Sequence, residues 1–334
     1  MRTLIVGKSG KDSLEQNLID VASSDFGDNA VLIDFPNLPK LVSKDRRLHF
    51  LFLNIAKMKI INNFLSRKLL KTARIFDPHL VVVLTGATDY LTPETMEKLK
   101  KIVRGRIVCW FVDASVNLGS ARMLFANYDH YYFADRGLLN WFTPFLKDKA
   151  SLLMEGYHPY RHVSSEITVR NTDIAIVGSL YPARILMLEE LVKLGFNIKI
   201  YGPGLPSWYG NGILSNRFQG EYLIYESKIR VFDEALCVLN NFHPSHIDII
   251  NCRIFEVLAS SGLLVSERSE LLREVFGENN ILTYSTFSEL VTILTQIVSG
   301  EIDVEHFRRN NSELRRSHSL TDRYRELKLT MPSS

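Results

Sequence analysis

The stretch "TDIAIVGSLYPARILMLEELVKLGFNIKIYG", residues 172–202, decides how the chain is read. An apolar, β-branched run ends in Gly178 and Ser179. A helical pattern follows with Arg184 in its first turn, and a second apolar run, "NIKIY", ends at Gly202. Strand, helix and strand joined by short turns form the repeating unit of a parallel sheet covered on both faces.

The rhythm extends in both directions. Upstream lie "TLIVG", "AVLIDF", "LVVVLTG", "RIVCWFVD", "YDHYYFAD" and "KASLLME"; downstream lie "EALCVLNNF", "GLLVSE" and "NILTYS". Helical patterns separate them, among them "KDSLEQNLIDVAS" and "TPETMEKLKKIV", the latter capped by Thr92 with Pro93 in its first turn. "LHFLFLNIAKMKIINNFL" reads as a long amphipathic helix. The polar stretch "YHPYRHVSSEITVRN" breaks the alternation, so a linker is placed near residues 160–171. A length of 334 residues suits two domains of about 150 each. The expectation is α/β: two Rossmann-like, doubly wound domains over 1–160 and 172–310. The tail 311–334 reads as a solvated helix able to pack back on the N-terminal domain.

Composition narrows the function. A net charge of +3, with both signs mixed along the chain, gives no electrostatic case for nucleic acid as the main partner. Cys109, Cys237 and Cys252 are too few and too scattered for a disulfide framework or a metal knuckle. They fit small core residues in a reducing compartment. "MRTLIVGKSG" lacks the length and cleavage pattern of a signal peptide. No apolar stretch reaches the roughly 20 residues of a membrane span. The expected location is cytoplasmic, with membrane contact at most peripheral at the inner face.

Ligands of such sheets bind where strands end and helices begin. In the second half, Gly178 and Ser179 end one strand with Arg184 just beyond, Tyr201 and Gly202 end the next, and Asn240 ends a third. Backbone amides at a helix N-terminus beside an arginine suit a diphosphate. Further on, "DIINCRIFEVLASSGLLVSE", residues 248–267, sets Asp248, Asn251, Arg253 and Glu256 ahead of a small-residue turn and a strand. The other reading of this segment is an amphipathic surface helix whose Arg and Glu pair with each other.

Taken together, "VGSLYPARILMLEELVKLGFNIKIYGPG", "YESKIRVFDEALCVLNNF" and "DIINCRIFEVLASSGLLVSERSELLREVF" resemble the CgeB-type glycosyltransferase family, as does the closing "HSLTDRYREL". In the first half "WFVDASV", "YDHYYFAD" and "EGYHPYRH" look like the N-terminal partner domain of that family. The resemblance implies a GT-B fold, two Rossmann-like domains facing across a cleft, with the nucleotide-sugar on the C-terminal one and the acceptor on the other. It implies that Glu256 takes the ribose hydroxyls and that Arg253 faces the diphosphate. Asp248 stands where the family carries the first Glu of an E-x7-E pattern, so it either contacts the donor sugar or caps the helix.

Catalytic candidates come from the first half and the linker. Asp113 ends "RIVCWFVD" and Asp89 lies in "TGATDY", each either a base or acceptor carboxylate or a helix cap; His158 lies in "EGYHPYRH". His162, His243 and His246 lack a ligand spacing, so no metal is expected, and no cofactor beyond a nucleotide-sugar co-substrate. The implied function is transfer of a sugar from a nucleotide diphosphate donor to a glycan, lipid-linked glycan or protein acceptor in surface polysaccharide or glycoconjugate assembly. The alternatives are a non-catalytic nucleotide-sugar-binding partner and another two-Rossmann enzyme such as an epimerase.

Overall fold

Each of the β-branched and aromatic runs forms a strand. The computed structural model describes residues 1–34, 59–84, 91–112, 126–164, 170–171 and 173–329, with only the backbone of 59–63. The candidates Asp89 and Asp113 and most of the expected linker lie outside these residues. The chain divides into two units, Met1–Met154 with Arg323–Ser334, and Glu155–Asp322.

The first unit holds strands β1 (Arg2–Gly7), β2 (Asn29–Asp34), β3 (Leu80–Leu84), β4 (Arg106–Phe111), β5 (His130–Phe133) and β6 (Ala150–Leu152). They form one parallel sheet in the order β2-β1-β3-β4-β5-β6. All five residues of β3 are buried, as expected of a central strand with helices on both faces. Helix α1 (Leu14–Phe26) starts at Ser13, whose hydroxyl accepts from the Gln16 amide, and stops at Gly27 in a left-handed conformation.

Helices α2 (Lys59–Phe76), α3 (Pro93–Ile102) and α4 (Arg136–Leu146) send Leu65, Leu69, Met96, Leu99 and Leu138 into one core cluster with Val81 and Val83. These three helices therefore cover the same face of the sheet. Thr92 caps α3 with Pro93 beside it, as its sequence requires. Cys109 sits in this core, where burial pushes its thiol well above the ordinary value.

The second unit holds β7 (Ile174–Val177), β8 (Ile198–Tyr201), β9 (Cys237–Asn240), β10 (Leu264–Glu267) and β11 (Leu282–Tyr284). All pair in parallel, in the order β11-β10-β9-β7-β8. The order reverses between β7 and β9, and that reversal opens a crevice at the carboxyl ends of those two strands. The helices are α5 (Pro182–Lys193), α6 (Tyr225–Glu234), α7 (Cys252–Ala259), α8 (Glu270–Phe276) and α9 (Phe287–Ser299).

The tail differs from the solvated helix read in the sequence. It is two helices, α10 (Val304–Leu314) and α11 (Leu320–Leu329), and both are anchored by buried polar groups. On α10, Arg308 donates to the Leu236 carbonyl at 2.8 Å and Asn311 to the Gly262 carbonyl at 2.8 Å, inside the second unit. On α11, Tyr324 is fully buried in the first unit. Its hydroxyl donates to Asp28 at 2.9 Å and accepts from Thr3 at 2.6 Å, while Lys328 donates to Asp28 at 2.9 Å. The charged residues between these anchors hid them from a reading by composition.

Candidate functional site

The second unit's crevice is built from the ends of β7 and β9. Gly178 follows β7 at φ 139°, a conformation open to glycine, and its amide donates to the Tyr201 carbonyl at 2.9 Å. Gly202 follows β8 so closely that a Cβ there would lie 2.3 Å from the Gly178 carbonyl oxygen. Both glycines thus keep the two strand ends in contact.

Arg184, three residues into α5, crosses the crevice. Its Nη1 donates to the Ser179 carbonyl at 2.8 Å, its Nε to Asn241 Oδ1 at 2.6 Å and its Nη2 to the Asn241 carbonyl at 2.7 Å. The guanidinium also lies 4.7 Å from the centre of the Tyr181 ring. The Tyr181 hydroxyl donates to the Phe242 carbonyl, and Asn241 Nδ2 donates to that hydroxyl. Arg184 is buried, 9 % exposed, and every one of these partners is uncharged. Burial pulls its pKa below the usual value, and the positive charge of Arg253 pulls the same way.

Helix α7 docks onto the same strand end. Asn251 caps it, accepting from the Ile254 amide, and its Nδ2 donates to Asn240 Oδ1 at 3.1 Å. Asn240 in turn donates to Ser266 Oγ on β10 at 3.0 Å. The Cys252 amide at the start of the helix donates to a Glu155 carboxylate oxygen at 2.6 Å. Asp248 is a cap too, but of α8: its Oδ1 accepts from the Leu271 amide at 2.9 Å.

Glu256 is not the exposed cleft-edge carboxylate that its helix position suggests. It is 5 % exposed, and both carboxylate oxygens are ion-paired, Oε1 to Lys228 Nζ at 2.6 Å and Oε2 to Arg253 Nη1. His162 Nδ1 stands 3.8 Å from Oε1. The Arg253–Glu256 pair of the alternative reading is therefore present, but on a buried carboxylate and joined by Lys228. The missed signal was Lys228 itself: it lies on the stripe of Tyr225, Ile229 and Phe232, where a lysine is costly unless paired.

Beside the crevice, at the carboxyl ends of β9 and β10, opens a cavity of about 650 Å³ lined by Asn241, His243, His246, Asp248, Glu267 and Ser269, among others. Glu267, also overlooked in the sequence, ends β10 and accepts from the Phe242 amide at 2.8 Å. His243 Nδ1 is taken up by Ser245, whose amide donates to it at 3.2 Å. Burial, His246 and Arg184 lower the pKa of His243. His158 does not line this cavity. It is buried with its ring against Tyr160, His162 and Tyr225, and its Nδ1 accepts from the Tyr160 amide at 3.2 Å.

Residues 184–328 match the family described as Glycosyl transferase-like. HepE of Anabaena, solved with UDP and glucose, is 14 % identical and superposes with a TM-score of 0.66 over 99 % of each chain. Sucrose-phosphate synthase from Thermosynechococcus elongatus is 9 % identical, with a TM-score of 0.68 over 98 % of each chain. The fold is that of the GT-B glycosyltransferases. An α,α-trehalose 6-phosphate synthase from Burkholderia multivorans is also similar, 12 % identical with a TM-score of 0.62 over 98 % of this chain and 97 % of that one. No curated protein matches the chain in sequence. Among the described residues no helix is long and apolar enough to cross a membrane.

Proposed function

We propose that this GT-B chain is a glycosyltransferase, of the CgeB-like kind that its sequence resembles, and that it moves a sugar from a nucleoside diphosphate donor to a glycan or protein acceptor. The observation that carries the reading is Arg184, a buried guanidinium at the topological switch point whose partners are all neutral. A buried cation without a counter-charge is costly, and a diphosphate would supply the missing negative charge.

In this reading the diphosphate lies against Arg184 and Arg253. Negative charge develops on it as the glycosidic bond to the donor breaks, so two cations fixed beforehand favour the transition state over the bound donor. Glu256 accepts from the ribose hydroxyls while Lys228 and Arg253 hold it in place. The 650 Å³ cavity next to the crevice offers space for the donor. The arginines do the work that a divalent ion does elsewhere, so the proposed enzyme is independent of metal.

Thermal shift with a panel of nucleoside diphosphates tests the binding step, and mass spectrometry of donor incubated with protein tests turnover. At least one diphosphate should raise the melting temperature, and its sugar conjugate should be consumed. No shift with any of them removes the reading. Binding without consumption makes the chain a non-catalytic binding protein, and isomerised donor makes it an epimerase.

A further inference from the structure

Helix α2 carries no acidic residue over its whole length, "KIINNFLSRKLLKTARIF". Leu65, Leu69 and Ala73 face the core. The opposite side is exposed and holds Phe64, Arg67, Lys68, Lys71, Arg74 and Ile75. Spacings of three, four and seven residues put these six on one face. Phe64 is 67 % exposed and Ile75 77 %, so a large apolar side chain stands in water near each end of a row of four cations. With a rise of 1.5 Å per residue, the two apolar groups are about 16 Å apart along the axis.

Helix α4 adds a second such feature. Trp141 and Phe145, one turn apart, are 70 % and 76 % exposed, and the exposed Lys147, Asp148 and Lys149 follow directly, a net positive group. Leu138 of α4 and Leu65 and Leu69 of α2 belong to the same core cluster, so both helices cover one face of the first sheet. Their outer surfaces consequently look to the same side of that unit.

We propose that this side of the first unit is a membrane-docking face that rests on an anionic lipid surface. Aromatic and aliphatic side chains among lysines and arginines are what an interfacial helix needs: the apolar groups enter the acyl boundary and the cations meet the headgroup phosphates. A nucleic acid would account for the cations alone and leave Phe64, Ile75, Trp141 and Phe145 in water. The lipid surface satisfies both.

The test is flotation of the full chain with phosphatidylcholine vesicles and with vesicles containing phosphatidylglycerol, at low and high salt. The wild type should float with the anionic vesicles and stay behind with the neutral ones. Replacing Arg67, Lys68, Lys71 and Arg74 by Gln should weaken partitioning by roughly fivefold per cation at low salt. Phe64→Ser with Ile75→Ser, and separately Trp141→Ser with Phe145→Ser, should weaken it at both salt concentrations. All these positions are exposed, so melting temperatures should match the wild type and confirm that the variants are folded. Wild type that fails to float with anionic vesicles overturns the proposal. So does a four-cation variant that floats as well as wild type, or a protein that binds an oligonucleotide and ignores the vesicles.

Discussion

Arg184 and Asn241 are joined by two hydrogen bonds, one to the Asn241 side chain at 2.6 Å and one to its backbone carbonyl at 2.7 Å. One residue opens a helix and the other follows a strand, so the bonds lock the two loops of the switch point to each other. The Asn241 side chain orients the guanidinium without neutralising it, which keeps the charge available to a ligand. Arg184→Lys retains the charge but loses the fork. It should weaken nucleoside diphosphate binding about ten- to a hundredfold, the worth of a charge-assisted hydrogen bond. Asn241→Ala should weaken binding as well, because the guanidinium is then free to turn. Calorimetry with one nucleoside diphosphate reads both; two variants with lowered melting temperatures and unchanged affinity would make Arg184 a structural residue.

Removing the charge from Glu256 should now cost stability. Glu256→Gln leaves the buried Lys228 and the partly buried Arg253 beside a neutral amide, and breaking a buried ion pair from one side costs about 3 kcal/mol or more. Lys228→Met in the same chain should return part of the loss, because it removes one of the stranded charges. Urea unfolding of the two single variants and the double variant measures the coupling. Affinity for an unphosphorylated nucleoside should fall in Glu256→Gln, whereas Arg253→Lys should affect the diphosphate and spare the nucleoside.

Chelation should leave donor turnover unchanged, since the proposed site neutralises the diphosphate with Arg184 and Arg253. Turnover measured before and after EDTA treatment checks this. A large loss that magnesium or manganese restores would assign the neutralising role to an ion.

Two histidines predict how stability varies with acid. His130, hydrogen-bonded to Ser151 at 2.8 Å, has a lowered pKa through burial and the charge of Arg106. His243 is lowered by burial, His246 and Arg184. A folded-state pKa below the unfolded value of about 6.5 means that the unfolded chain binds protons first as pH falls. Their contribution is therefore complete above about pH 6.5 and declines as pH falls from there toward the folded pKa values. The urea midpoint should drop between about pH 7.5 and 5.5, and His130→Gln should flatten that slope. His243→Gln should flatten it less, because that side chain is less buried than His130.

The sheets were legible because each strand is a local signal. "LVVVL" and "IAIV" have no comfortable place outside a buried parallel strand, and Gly178 and Gly202 mark where two of them must end. Ser179, Arg184, Asn240 and Asn251 were readable for the same reason, each lying at a strand end or helix start. Lys228 was not, because its role depends on Glu256, 28 residues away in sequence. Glu267 looked like the last residue of an ordinary strand. The burial of Arg308 and Tyr324 depends on packing partners far along the chain, and their neighbours are charged, so the tail read as solvated.

The bond from Tyr324 to Asp28 spans 296 positions and sets the order in which the polypeptide can be completed. The larger part of the first unit precedes the second in sequence, yet Thr3 meets Tyr324, and Asp28 meets Tyr324 and Lys328, only when residues 323–329 have left the ribosome. The second unit lies wholly between these two pieces and can close on its own during synthesis. Of the two units, the one started earlier is thus completed later. A chain ending at Asp322 would hold the whole second unit but leave Thr3 without Tyr324 and Asp28 without Tyr324 and Lys328 in the first.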